Sequence, residues 1–303
     1  MNIFKKMGRA IKHPDKIVLY LNEKGFHRFI SDKVYLKNAY KSMIGKKLTI
    51  KSPKTYNEKL QWLKLYDRNP LYTTLVDKYE VKNYIANRIG EEYIVPTLGV
   101  WDKFDDIDFD ALPNQFVLKC THDSGGLVIC KDKETFDIEY ARKKITKSLK
   151  RNYFWFGREW PYKNVKPRII AETYIEDTQT EELRDYKFFC FNGEVKALFI
   201  ATERQKQGEE VKFDFFDADF NHLPIRQGHP NAVTPPSPPS QFEKMKQFSR
   251  ELSKDFPHVR VDFYESDGKI YFGELTFYHF SGMKPFYPEE WDYTFGDWIT
   301  LPQ

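Results

Sequence analysis

Apolar and polar positions follow two rhythms along this 303-residue chain. Near the middle, Gln115-Phe116-Val117-Leu118-Lys119-Cys120 is an apolar run that closes on a lysine. Thr121-His122-Asp123-Ser124-Gly125-Gly126 is a small polar loop, and Leu127-Val128-Ile129 is a second apolar run. The pattern predicts strand, loop, strand. A glycine-rich loop between strands can set its N–H groups against phosphate oxygens, with Lys119 as a point charge. The same pattern also fits an ordinary hairpin turn. Residues 168–175 predict a buried strand that ends in polar residues. Residues 185–191 predict a strand of period two, with Asp185 and Lys187 on the face of Phe189 and Phe191. Asn192-Gly193 turns that strand back into residues 195–202, and residues 212–216 add another.

Residues 259–264 alternate, which puts Arg260, Asp262 and Tyr264 on one face. With Ser266-Asp267-Gly268 as a three-residue loop, Phe272 stands opposite Asp262 and Glu274 opposite Arg260. Asp262 and Glu274 are then diagonal neighbours, with Thr276 on the same face. Two carboxylates so placed suit Mg²⁺; a cross-strand Arg260–Glu274 ion pair is the other reading.

Helical periods fill much of the rest. Thr55 and Glu58 have capping-box spacing ahead of Leu60, Trp62, Leu63 and Leu65. A helix over about 79–88 follows Asp77-Lys78 and ends at Gly90. Residues 137–152 and 241–255 predict two more. Residues 1–76 read as mostly helical and basic, with 33–54 as a lysine-rich connector. Residues 154–163 form an aromatic and charged loop, either a substrate surface or a packed connector. Residues 224–239 are a proline-rich surface loop.

Composition narrows the class. Hydrophobic residues make up 41% and aromatics 17%, enough for a folded core. The length suits about two domains. A net charge of +4 is too small an excess to argue for nucleic acid. Three cysteines without Cys-x-x-Cys spacing read as reduced thiols in a cytoplasmic protein. No apolar run approaches the ~18 residues of a membrane span, and the N-terminus lacks the apolar segment of a secretory signal. That basic, mildly amphipathic terminus fits weak contact with the inner membrane face or a solvated helix packed on the protein.

Taken in order, these segments resemble the ATP-grasp superfamily, an α+β fold in which two α+β lobes clamp ATP. Lys78 corresponds to the lysine of an Asp-Lys motif that reaches ATP phosphates, and Lys119 to the strand lysine on the nucleotide. Ser124, Gly125 and Gly126 correspond to the flexible loop over the phosphates. Glu172, Thr173, Tyr174 and Ile175 correspond to the inter-lobe hinge bordering adenine; Lys187 joins the nucleotide-binding set. The hairpin from Arg260 to Thr276 resembles that of D-alanine–D-alanine ligases. There the arginine steadies the transferring phosphoryl group and the Asp and Glu bind Mg²⁺. Ser281 and Gly282 fall where those enzymes place a substrate loop. Thr276 replaces the usual Asn, a change in the third metal ligand.

Pro53-Lys54-Thr55-Tyr56-Asn57-Glu58-Lys59-Leu60-Gln61-Trp62, Asp77-Lys78-Tyr79, Arg158-Glu159-Trp160 and residues 185–193 resemble the teichuronopeptide-biosynthesis (TupA-like) branch, from bacterial cell-surface polysaccharide clusters. The resemblance implies a helical region over 1–76, a small lobe over 77–171 and a large lobe over 172–303. It implies an ATP- and Mg²⁺-dependent carboxylate–amine ligase joining an amine or amino acid to a uronic acid saccharide. His122 beside the loop fits a phosphate contact or a structural role. Asp217-Ala218-Asp219, an Asp-x-Asp triplet, supports the alternative of a glycosyltransferase using a nucleotide sugar. A non-catalytic shell of the same fold is a third reading.

Overall fold

The computed structural model describes residues 26–178, 182–204, 208 and 210–302; the basic segment through Leu21 lies outside them. The fold is α+β, built on two antiparallel sheets. The four-stranded sheet has the order β1-β4-β2-β3, from β1 (Thr97–Trp101), β2 (Phe116–Cys120), β3 (Leu127–Cys130) and β4 (Ile169–Thr173). The six-stranded sheet has the order β10-β9-β5-β6-β7-β8. Its strands are β5 (Asp185–Phe191), β6 (Glu194–Thr202), β7 (Lys212–Asp217), β8 (His222–Leu223), β9 (His258–Ser266) and β10 (Lys269–Thr276). A single bridge between Ile94 and Phe272 ties the approach to β1 onto β10.

Helix α1 (Asp32–Ile44) corrects the connector expected over 33–54. Lys33, Lys37 and Lys41 interrupt the apolar pattern, but Tyr35, Leu36, Ala39 and Tyr40 recur at helical spacing and are buried. Gly45, left-handed at φ 83°, ends it. Helix α2 (Tyr56–Tyr66) starts on the expected capping box, with Thr55 accepting from Glu58 N and Glu58 from Thr55 N. Its first residue anchors it to the large sheet. The Tyr56 ring meets Phe189, Phe191, Phe286 and Phe295 edge-on, and its hydroxyl reaches His258 Nε2 at 2.9 Å. Helices α3 (Leu71–Val76) and α4 (Val81–Ile89) carry the chain to the small sheet, and α4 stops at Gly90.

On that sheet α5 (Ile138–Leu149), capped by Asp137, buries Ala141 and Ile145 against Phe116, Leu118 and Ile169. Residues 154–163 are not a loop: helix α6 (Phe154–Gly157) and a 3₁₀ turn (Trp160–Asn164) fold them. Helix α7 (Phe242–Ser253) covers the large sheet, and α8 (Glu290–Trp298) packs Phe295 beside Tyr56. Among the described residues, no helix is long and apolar enough to cross a membrane.

The C-terminal hairpin differs in register from the expected one. The loop has two residues, Asp267 (φ 51°) and Gly268 (φ 78°), with Ser266 paired to Lys269. Both have φ > 0, the primed turn that Asp-Gly favours. A bulge at Gly273 then shifts β10 once more, so Glu274 faces Asp262 and Thr276 faces Arg260.

Candidate active site

The two sheets meet in a cleft of about 240 Å³. On the small-sheet side, β2 alternates so that Lys119 turns toward the cleft while Leu118 and Cys120 enter the core. Val117 pairs with Glu172 and Lys119 with Ile170, which makes Lys119 and Glu172 diagonal neighbours on one face. Lys119 Nζ lies 2.5 Å from Glu172 Oε2. Lys82, from α4, lies 2.6 Å from Glu172 Oε1 and donates to Val95 O at 2.7 Å. Burial raises the Glu172 carboxyl pKa, but the two ammonium groups outweigh it and hold the group below the ordinary glutamate value.

The loop after β2 is closed by its own backbone, with Cys120 N donating to Gly126 O at 2.7 Å. A Cβ on Gly126 would fall 2.4 Å from Ser148 Oγ and 2.7 Å from Asp123 Oδ1, so a side chain there would have to displace both. Lys78 is tied to the loop: its Nζ donates to Asp123 O at 2.5 Å and its N–H to Thr121 O at 3.1 Å. Asp77 accepts from Tyr79 N and Glu80 N, and Arg168 pairs with it at 2.7 Å. His122 is buried, reaches Arg151 O at 3.1 Å and does not line the cleft.

The large-sheet side is a charge network. Lys187 on β5 sits across from Asp262 on β9, Nζ to Oδ2 2.5 Å. Arg260 grips the same carboxylate twice, Nε to Oδ1 at 2.7 Å and Nη2 to Oδ2 at 2.6 Å. Arg260 Nη2 is also 3.1 Å from Glu274 Oε1 and 3.0 Å from Thr276 Oγ1. Burial pushes the Asp262 carboxyl up, yet Arg260 and Lys187 hold it below its ordinary value. Behind the arginine, its Nη1 donates to His279 Nδ1 at 2.6 Å, which leaves the ring proton on Nε2 to reach Gln227 Oε1 at 3.0 Å. Burial and the adjacent Arg260 and Lys187 cations keep His279 neutral.

The family profile described as TupA-like ATPgrasp matches residues 58–300. The chain belongs to the TupA-like ATP-grasp family. Solved structures of related fold include the D-alanine–D-alanine ligase of Bacillus anthracis complexed with ATP. It is 17% identical at TM-score 0.39, over 67% of this chain and 55% of that one. The D-alanine–D-alanine ligase of Helicobacter pylori is 13% identical at TM-score 0.43, over 81% of this chain and 69% of that one. The ATP-grasp ligase PsnB, complexed with a minimal precursor, Mg and ADP, is 7% identical at TM-score 0.38, over 73% of this chain and 57% of that one. This chain therefore spans little more than half the length of two of the three. No curated protein matches the chain.

In this ATP-grasp chain Lys78, Lys119, Ser124, Gly125, Gly126, Glu172, Lys187 and Glu274 line one cleft. Arg260, Asp262 and Thr276 stand directly behind Glu274 and Lys187. Thr173, Tyr174 and Ile175 run past the cleft edge without lining it; Thr173 N–H bonds to Pro96 O and the Tyr174 ring lies under Lys131. Ser281 lines a neighbouring cavity, while Gly282 packs on α2, its carbonyl 2.9 Å from Gln61 Nε2. Asp217 of the Asp-x-Asp triplet is used by its own turn, accepting from Asp219 N and Asn221 N. Sequence reasoning missed Lys82, whose signal was its place four residues after Lys78. It also missed the Asp185–Arg204 pair at the cleft rim.

Among the described residues no three His, Cys, Asp or Glu side chains gather in a metal-holding group. The donors that do gather are oxygen atoms: the carboxylates of Asp262 and Glu274, and Thr276 Oγ1 at 3.0 Å from Glu274 Oε1. The Glu274 side chain is 44% exposed while that of Asp262 is 1% exposed. Hard oxygen donors of this kind suit Mg²⁺, which takes one or two carboxylates and completes its shell with water and phosphate oxygens; Glu274 offers its carboxylate to the cleft, while both Asp262 oxygens are held by Arg260 and Lys187.

Proposed function

We propose that the protein is an ATP-dependent carboxylate–amine ligase. It would join an amine or amino acid to a uronic acid of a bacterial cell-surface polysaccharide or its precursor, on the cytoplasmic side of the membrane. The carrying observation is the convergence of Lys78, Lys119 and the glycine loop on the cleft that Glu274 enters from the opposite sheet.

In this reading the Ser124-Gly125-Gly126 backbone and Lys78 cradle the terminal phosphates. Lys119 serves the nucleotide, kept in place by Glu172 until ATP competes for it. The uronate oxygen attacks the γ-phosphorus; the bond to the β-phosphate oxygen breaks, leaving an acyl phosphate and ADP. The amine then attacks the acyl carbon, phosphate leaves and one proton is released. Arg260, braced by Asp262 and His279, aims positive charge at the phosphoryl group. Asp262 and Glu274 would hold Mg²⁺, which when bound neutralises phosphate charge. No nucleophilic side chain is required, since positioning and charge supply most of the rate.

A panel of uronic acids and amines with ATP and Mg²⁺, read by ADP release and product mass, tests this. ADP release that needs both partners supports it; nucleotide-sugar hydrolysis without ATP turnover would favour the glycosyltransferase.

A further inference from the structure

The lysine-rich stretch that opens with α1 takes no part in the cleft between the sheets. From Lys33 to Asn57 the chain carries seven lysines and no Asp or Glu. Four of the seven, Lys33, Lys37, Lys47 and Lys51, line one groove of about 520 Å³ together with Trp62 and Tyr66. All four lysines are exposed. Among the described residues none of the four forms an ion pair, and no acidic side chain lines the groove.

The fold gathers these charges and leaves them uncompensated. Lys33 and Lys37 stand one turn apart on the outer face of α1, since Tyr35, Leu36, Ala39 and Tyr40 take the inner one. Like charges at that spacing weaken a helix. The acid of α1, Asp32, is turned to Arg158 at 3.5 Å and Arg68 at 4.0 Å. After Gly45 the chain buries Leu48 and Ile50, so Lys47, Thr49 and Lys51 alternate outward. Lys46 is the lysine of this run that Glu289 neutralises, and it does not line the groove. A further wall comes from α2, where the Trp62 and Tyr66 rings lie 5.1 Å apart and Tyr66 is 48% exposed.

Ammonium groups are point charges without a planar fork, so they suit tetrahedral phosphoryl oxygens better than the flat carboxylates that arginine grips. A phosphoryl group carries about 1.5–2 negative charges near pH 7, so two of them match four lysines. The rings beside the lysines offer apolar surface to the organic part of an ester. We propose that this groove binds a diphosphate group, free in solution or displayed as a lipid head group. The bound anion relieves the repulsion among the four cations that α1 and residues 47–51 bring together. The proposal does not rest on the ligase reading, because no groove residue lines the cleft between the sheets.

Acetylation of lysines in the full chain, read site by site by mass spectrometry, is the test, with inorganic pyrophosphate as the probe. Saturating pyrophosphate should slow modification of Lys33, Lys37, Lys47 and Lys51 about fivefold or more. Lys41, on the same helix but outside the groove, should keep its rate. Sulfate at equal ionic strength should protect none of them. Lys78 and Lys119 report occupancy of the cleft in the same spectra. The double variant Lys37→Gln, Lys47→Gln should need about tenfold more pyrophosphate to protect Lys33 and Lys51. Its Mg·ADP affinity should stay within about twofold of wild type, which controls for folding. Protection no greater than at Lys41, equal protection by sulfate, or an unchanged midpoint in the double variant overturns the assignment. Phosphatidylcholine vesicles with and without diacylglycerol pyrophosphate separate the two sources. Protection by the diphosphate vesicles at a lower diphosphate concentration than free pyrophosphate supports a head group, and protection by free pyrophosphate alone supports a soluble ligand. If the four lysines are protected but no uronate and amine yield ADP, the ligase reading fails and the groove assignment stands. If ADP forms while the four lysines stay unprotected, the groove assignment fails and the ligase reading stands.

Discussion

Glu274 stands directly across the strand pair from Asp262, and two irregularities bring it there. The two-residue turn at Asp267-Gly268 pairs Phe272 with Phe263. Continued without a break, that register would put Glu274 opposite Val261 and turn it into the core. The bulge at Gly273 restores the face. A Cβ at 273 would meet Asp262 O at 3.1 Å. Gly273→Val should therefore cost about 1–3 kcal/mol in denaturant melts and lower ADP formation by about 10²–10³. Full activity in that variant would show that the register does not set the site.

Glu172 gives a pH signature. Its folded-state pKa lies below the ordinary glutamate value, since Lys119 and Lys82 outweigh burial. Its contribution to stability is full above that ordinary value and is lost as pH falls through the lower folded-state value. Glu172→Gln should be less stable than wild type at pH 7, with the gap closing on acidification below about pH 4. Urea melts of both proteins at pH 7 and in acid check this; a gap that widens in acid has the wrong sign.

The N-terminal helices hold to the large sheet through Tyr56. His258 Nδ1–H donates to Cys190 O at 2.8 Å, so Nε2 is bare and accepts from the Tyr56 hydroxyl. Burial lowers the His258 pKa to about 3, which keeps the ring neutral. Tyr56→Phe leaves a buried acceptor unpaired, at a cost of about 1–3 kcal/mol. Equilibrium denaturation measures it, and Mg·ADP affinity should not move.

How much of this was legible in the sequence depends on whether the signal was local. The capping box at Thr55 and Glu58, the Asn192-Gly193 turn and the strand carrying Lys187 each write their structure in adjacent residues. Helix α1 was hidden because lysines cover its exposed face and break the apparent apolar rhythm. The hairpin register was misread because a bulge leaves no mark beyond one glycine. Lys82 was missed because its partner Glu172 is distant in sequence, and only the fold brings them together.

His279 is a positioning residue for Arg260. It does not line the cleft between the sheets, yet it accepts from Arg260 Nη1 and is fixed by Gln227. His279→Leu removes that acceptor. The rate of ADP formation should fall about 10–100-fold with little change in the KM for ATP, and His279→Asn should recover part of the loss. A change confined to KM would contradict a role through Arg260.

Oxygen tracing measures the acyl phosphate itself. A uronate oligosaccharide labelled with ¹⁸O in its carboxylates is incubated with ATP, Mg²⁺ and hydroxylamine, and the released phosphate is weighed by mass spectrometry. Each ADP formed should be matched by one phosphate carrying a single ¹⁸O from the sugar. ADP release with unlabelled phosphate, or at a rate indifferent to the uronate, would contradict a ligase that activates that carboxylate.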